Sequence, residues 1–389
     1  MKALVLLFSL SIFHSSHGQT GTVLSGTKTP NDNPLVSQQD SIVNNAVREL
    51  LKRSPIPGLS IGIYRMGNSS TYNYGEVIKG ENKLPSANTL YAIASISKTF
   101  TGIILAKAVI EKKLTLKEDI RKYLNGSYQN LEYNGQFIQL KYLTNHRSGI
   151  PFTLPDKPEM MPGFNNDVIP WATRVQQQYS SYTRNDFYND LRLVKLDTVP
   201  GVKAIYSNAA VQLLSYILEK VYKRSFENIL KDKITRPLQM NNTKITLTKK
   251  DSLHLAKGYD ETGRELPYIP DIFLGAASIK STVNDMLKYI KWNVKEHDEA
   301  IKISHKKIWG DNDYYSTGLN WQELHSNGYT VIWQSGMIPG FQSFCVFYPG
   351  LDLGIVVLSN ESERTLGRNL ESMIIQIMLK LDKRVISLP

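Results

Sequence analysis

Residues 91–100 read Y-A-I-A-S-I-S-K-T-F and lead into a long apolar-periodic run that ends at Glu111-Lys112-Lys113. The periodicity predicts a helix. Ser95 and Lys98 fall three apart on its first turn, where helical spacing puts them on one face. A serine hydroxyl is a weak nucleophile and needs a base within hydrogen-bond reach. A lysine can be that base only if burial or nearby positive charge brings its pKa down toward neutrality. Ala92, Ile93, Ala94, Ile96 and Phe100 are apolar or small, the setting that would desolvate Lys98. A helix start also aims free backbone N–H groups at whatever Ser95 attacks. The same letters allow a plainer reading, with Ser95 as N-cap and Lys98 in solvent. A Ser and a Lys three apart recur by chance about twice in a chain of this length.

The flanking segments set the fold class. Ser41 is expected to cap a helix through Ile42, Ala46 and Leu50 to Arg53. Gly58 to Met66 reads as a strand, Gly67-Asn68 as a turn and Thr71 to Gly75 as the returning strand, with a third short strand ahead of the Ser95 helix. Leu140 to Pro151 reads as a short helix broken at Gly149-Ile150-Pro151. An irregular, aromatic-rich stretch to Gly201 follows, of a length that often forms lids or binding walls. Helices are expected from Asn208 to Tyr222, from Phe226 to Ile234, and again from Ser281 to Trp292. Thr330 to Trp333, Phe341 to Tyr348 and Leu353 to Leu358 read as strands, and Leu370 to Leu381 as an amphipathic helix. Strands at both ends with helices between predict an α/β (α+β) fold. Its antiparallel sheet is flanked by helices and built from both termini, with a helical lobe inserted.

Met1 to Gly18 joins a charged Lys2, the apolar run Ala3 to Phe8 and small residues ending Ser16-His17-Gly18. That is the pattern of a cleavable export signal, too short to span a bilayer. Residues 19–40, rich in Thr, Gly, Ser, Asn and Pro, read as a flexible leader. Export predicts a periplasmic or secreted protein with no transmembrane anchor. The single Cys345 excludes an internal disulfide, so stability must come from the core. The net charge of +11 is scattered and accompanied by no nucleic-acid motif, which reads as a solvated basic surface rather than a nucleic-acid interface. His254, His297, His305 and His325 lack metal-ligand spacing, so neither a metal nor another cofactor is expected.

Two further stretches add weight to Ser95 and Lys98. Tyr206-Ser207-Asn208 stands at a helix start after Pro200-Gly201, and Gln334-Ser335-Gly336 ends an apolar strand before Met337-Ile338-Pro339-Gly340. In this order the three resemble the penicillin-recognising serine hydrolases, where an S-x-x-K is joined by an S-D-N or Y-x-N element and a K-T-G-type strand end. The Y-x-N form points to the class C β-lactamase branch with its related D,D-peptidases and esterases. Leu143 to Gly149 (L-T-N-H-R-S-G) resembles that family's L-T-H-T-S-G turn, and the likeness runs from about Val43 to Leu379. It implies a β-lactamase/transpeptidase-like fold over residues 41–385, with the α/β lobe at about 41–94 and 265–385 and the helical lobe at about 95–264.

The resemblance also implies roles. Ser95 would attack a carbonyl and form an acyl-enzyme, with Lys98 and Tyr206 as the proton relay; spacing leaves open which of the two is the base. A phenol serves as base only if the lysine charge lowers its pKa. Asn208 would hold the lysine or a substrate carbonyl. The N–H groups of Ser95 and Met337 would form the oxyanion hole, with Gln334, Ser335 and Gly336 lining the substrate site. Gln334 departs from the family's Lys or His, which weakens carboxylate recognition and favours esters and neutral amides. The substrate would be a small molecule or a peptide, including a cell-wall peptide. The rival reading is a non-catalytic penicillin-binding-like protein that keeps the fold without turnover. His146 reads as turn-stabilising. Asn360 reads either as a neighbour of a substrate carboxylate or as a strand-end turn.

Overall fold

The computed structural model describes residues 29–161, 170–310 and 314–385. The export pattern at Met1 to Gly18 lies outside them. Eight strands form one antiparallel sheet: β1 (Gly58–Arg65), β2 (Asn68–Gly75), β3 (Trp309–Gly310), β4 (Tyr315–Thr317), β5 (Gln322–Ser326), β6 (Tyr329–Ile338), β7 (Phe341–Tyr348) and β8 (Leu353–Ser359). Their order is β2-β1-β8-β7-β6-β5-β4-β3, so the N-terminal hairpin is zipped onto the C-terminal strand through Leu59↔Ser359 to Arg65↔Leu353.

Alternation along each strand supplies both faces. On one face, Ile355 and Val357 meet Val43 and Val47 of helix α1 (Gln38–Arg53), and Leu370 and Ile374 of the C-terminal helix Arg364–Leu381. On the other, Val356 and Leu358 meet Val283, Met286 and Ile290 of the helix Val283–Lys295. The α2 helix (Ser97–Ile110) is buried on nearly every side from Ser97 to Ala106, which accounts for its apolar run without an amphipathic stripe.

Four local expectations are revised. The α1 helix starts ahead of Ser41, because Ser37 and Asp40 form a capping box; Asn33 in the preceding segment bonds the Tyr74 hydroxyl at 2.9 Å. Leu140 to Pro151 holds a single 3-10 turn, Leu140–Leu143, rather than a helix. The aromatic stretch contains two short helices, Trp171–Tyr179 and Arg184–Leu191. The second begins at a Thr183–Asp186 capping box, a local signal that the crowd of aromatics obscures. Finally, the strand read over Thr330 to Trp333 and ended by Gln334-Ser335-Gly336 continues as β6 through Ile338 and turns at Pro339-Gly340 into β7.

The placement of α2 depends on a close approach. A Cβ on Gly102 would lie 2.2 Å from the Leu319 carbonyl oxygen. Asn320, next in the chain, donates from Nδ2 to the Lys98 carbonyl at 2.8 Å. Alanine normally favours a helix over glycine by about 1 kcal/mol. Gly102→Ala is nevertheless expected to destabilise the fold by about 1–3 kcal/mol, because it pushes against backbone. Denaturant melts of the two proteins check this, and an unchanged or raised midpoint would contradict it.

Candidate active site

Segments far apart in sequence converge on Ser95. The chain arrives through the short strand Tyr91–Ala92 and a 3-10 turn, Ala94–Ile96. Ala94 holds φ at 47°, in the left-handed region that costs a non-glycine residue energy. The Ile93 carbonyl is fixed there by Ser343 Oγ at 2.8 Å. Ser95 is 9% exposed and Lys98 is 0% exposed, so the solvated lysine of the plainer reading does not form.

Lys98 Nζ lies 2.9 Å from Ser95 Oγ, 2.6 Å from Asn208 Oδ1 and 2.8 Å from the Ala276 carbonyl. Burial holds the lysine well below its ordinary pKa. A neutral amine has two protons and one lone pair. The two carbonyl oxygens can only accept, so they take both protons and leave the lone pair facing Ser95, the one partner with a proton to give. Tyr206 donates from its hydroxyl to Ser95 Oγ at 2.7 Å. That bond occupies an acceptor position on Oγ and directs the serine's own proton toward Lys98.

The phenol does not behave as the sequence reading requires of a base. Burial pushes Tyr206 up to about 12, although the Ser95 hydrogen bond opposes the shift. The Lys98 nitrogen sits 5.0 Å from its ring centroid, and the burial that depresses Lys98 works against the charge that would lower the phenol. Asn208 is free to face Lys98 because Ser207, not Asn208, is the N-cap of the helix Asn208–Tyr222. Ser207 Oγ also holds the Pro151 carbonyl at 2.6 Å, which brings the turn at His146 beside Tyr206. His146 has φ at 59°, and its carbonyl accepts the Ile205 N–H at 2.7 Å, as a turn-stabilising residue should. Its ring lies 4.1 Å from the Tyr206 ring, and Nδ1 accepts the Ser207 N–H at 3.3 Å. Burial first, then the Lys98 charge, brings its pKa down to about 3, so it stays neutral.

The β6 strand closes the other side. A Cβ on Gly336 would lie 2.6 Å from both the Ile93 carbonyl oxygen and the Ser95 nitrogen, so only glycine lets the strand pass. The two-residue Pro339-Gly340 turn makes Ile338 and Phe341 a hydrogen-bonded pair. Met337↔Gln342 is then a non-hydrogen-bonded pair, and the Met337 N–H turns away from β7. The β5 strand pairs with β6 only as far as Gln322↔Trp333, so that N–H meets an open edge beside the Ser95 turn.

Gln334 does not reach the serine. Its Nε2 donates to the Asn320 carbonyl at 3.0 Å, and its Oε1 accepts the Ser335 N–H at 3.0 Å. Both ends of the amide are used inside the protein, with Gln334 2% exposed and Ser335 buried beside it. Asn360 is also structural, fully buried and donating to the carbonyls of Glu76 and Val77. Sequence reasoning missed Asn320, which carries only a lone asparagine as signal. It also missed the Ala276 carbonyl, a backbone acceptor that no side-chain pattern reveals.

Comparison with known proteins agrees with this architecture. The chain is 28% identical over 360 residues to Protein flp of Staphylococcus aureus (strain N315), covering 88% of this chain and 68% of that one. It is 23% identical over 365 residues to a beta-lactamase of Escherichia coli (strain K12), covering 84% and 89%. A beta-lactamase/D-alanine carboxypeptidase from Yersinia pestis, solved with citrate, superposes with a TM-score of 0.74 at 23% identity over 88% of this chain and 98% of that one. The corresponding protein from Pseudomonas syringae gives 0.73 at 20% identity, over 88% and 99%. These solved structures share the antiparallel sheet flanked by helices that the sequence pattern implies. With the Beta-lactamase family model matching residues 43–376, the chain belongs to the Beta-lactamase family.

Proposed function

We propose that this chain is an exported serine hydrolase that cleaves an ester or amide through an acyl-enzyme on Ser95. The observation that carries the reading is the pair of contacts on one oxygen: Tyr206 donates to Ser95 Oγ at 2.7 Å while a buried, depressed Lys98 waits at 2.9 Å. In the first step the Ser95 proton passes to Lys98 Nζ as Oγ bonds to the substrate carbonyl carbon. The carbonyl oxygen becomes an oxyanion between the N–H groups of Ser95 and Met337, an arrangement in which each donor is typically worth about 100- to 1000-fold in rate. The tetrahedral adduct then collapses to the ester of Ser95. The leaving group departs with a proton delivered through the Tyr206 hydroxyl, which is replenished from the Lys98 ammonium. Water repeats the sequence on that ester, releasing the acid and restoring Ser95.

Several features support a preference for substrates without a carboxylate. Gln334 is uncharged and bonded to Asn320, and Asn360 is committed to backbone carbonyls. Neither offers a counter-charge to an anion. Neutral esters and amides therefore stand ahead of carboxylate-bearing β-lactams and D-Ala-D-Ala peptides. Export to a periplasm or outside the cell rests on the Met1 to Gly18 pattern.

A serine-reactive phosphonate should add one label to Ser95 by intact-mass and peptide mapping. Ser95→Ala should take no label and lose at least about a thousandfold in ester hydrolysis. No label on the folded wild type would leave the non-catalytic binder as the better reading. In the pH profile of kcat/KM the base must be neutral, so activity should fall as pH drops through the depressed Lys98 pKa. It should show no alkaline loss from the phenol until near 12. A tyrosine acting as anionic base would instead make activity climb toward pH 12. Tyr206→Phe should cost about 100- to 1000-fold while leaving the acid limb in place. Finally, kcat/KM for a short nitrophenyl ester should exceed that for nitrocefin and for a D-Ala-D-Ala peptide, and the reverse order would defeat the charge argument.

A further inference from the structure

The Ala276 carbonyl, which accepts from Lys98, sits in a stretch of chain that would not adopt its shape unaided. Leu274, two residues earlier, has φ 40° and ψ −122°. A residue with a side chain persists in that region only where its surroundings impose it. Gly275 follows, pressed against α2. A Cβ there would lie 2.1 Å from Thr101 Oγ1 and 2.4 Å from Phe226 Cζ.

Two buried hydroxyls of α2 bracket Lys98 and hold this stretch on either side of Ala276. Ser97 Oγ accepts the Ile279 N–H at 3.2 Å, and Thr101 donates from Oγ1 to the Gly275 carbonyl at 2.9 Å. Thr101 has a second acceptor, the Ser97 carbonyl one turn back, at 3.4 Å. A threonine inside a helix ordinarily gives its proton to that carbonyl of its own helix. Here the shorter bond goes outward. The Gly275 carbonyl belongs to the peptide that leads into Ala276, so fixing it fixes where the next carbonyl starts.

We propose that Thr101 is a positioning residue for the hydrolysis: by holding the Gly275 carbonyl against α2 it sets the Ala276 carbonyl on Lys98, which leaves the amine's lone pair directed at Ser95. The inference rests on the hydrolase reading. The Thr101 hydroxyl bonds neither Ser95 nor Lys98, so it acts through the chain segment alone. Without its bond the segment relaxes from the Leu274 geometry, and Lys98 loses one of its two carbonyl acceptors. A carbonyl bonds an ammonium more strongly than an amine, so its departure disfavours the charged lysine further. The helix at Asn208 and the segment at Ala276 present an amide and a carbonyl to Lys98, without charge. Among the described residues the other titratable groups facing it are Tyr206, which changes charge at about 12, and His146, at about 3. An acid limb between those limits therefore reports Lys98.

Thr101→Val keeps the shape and removes the proton, whereas Thr101→Ser keeps the hydroxyl. On a short nitrophenyl ester the valine enzyme is expected to lose about tenfold in kcat, the worth of roughly one hydrogen bond. Its KM should stay within about twofold, because both half-reactions use Lys98. The acid limb of its kcat/KM profile should move to lower pH. The serine enzyme should keep the wild-type limb and stay within about threefold of wild-type kcat. Thr101→Cys, a weaker donor of similar size, should fall between the two and carries the test if the valine protein does not fold. Wild-type kcat in the valine or cysteine enzyme, or losses as large in the serine enzyme, would overturn the proposal while the hydrolase reading stands. So would a loss of kcat with the acid limb unmoved or raised, which is what a packing residue gives. If Ser95→Ala hydrolyses the ester as fast as wild type, the hydrolase reading falls and the role of Thr101 with it.

Discussion

A lysine with no exposed surface is the constraint on which the site depends. An ammonium at the Lys98 position would need its desolvation offset, at a cost of several kcal/mol, and the site supplies only two carbonyl oxygens and one hydroxyl. The neutral amine suits that set, because its donors match the acceptors and its lone pair matches the serine. Much around it serves this arrangement. The α2 helix is buried on nearly every side from Ser97 to Ala106, the Asn208–Tyr222 helix is capped by Ser207 so that Asn208 can turn inward, and the Ala276 carbonyl closes the third direction.

The same constraint separates the two candidate bases. Burial acts on both groups, but in opposite senses: it favours the neutral form of an amine, which is the basic form, and the neutral form of a phenol, which is the acidic one. In the proposed mechanism one and the same desolvation therefore favours the free amine of Lys98 and keeps the Tyr206 hydroxyl protonated. His146 fits this scheme as a neutral ring against Tyr206, kept from protonation chiefly by burial. Where the family places Lys or His, Gln334 turns its amide to Asn320 instead. Its place in the site is thus to tie β6 to the segment that carries the α2 backbone.

Close approach of backbones is the second requirement. Gly336 passes the Ser95 turn and Gly102 passes Leu319 at distances that admit no Cβ. The strained Ala94 is held by neighbours fixed to the sheet. A hydroxyl positioned this way owes its direction to packing around it more than to its own rotamer.

The sequence by itself determined the elements that local pattern controls. Alternating strands such as Phe341 to Tyr348, the apolar run after Ser95, and the three motifs at Ser95, Tyr206 and Gln334 were legible because period and spacing are written in consecutive residues. The start of α1 and the short helices between Pro170 and Leu191 were obscured, since a capping box competes with stronger nearby signals. The tertiary structure alone decided which partners each motif meets: the Ala276 carbonyl on Lys98, Asn320 on Gln334, and the Gly275 carbonyl on Thr101. The physical reason is that burial and backbone acceptors belong to no single segment. They exist only once residues separated by more than a hundred positions have excluded water from the same place.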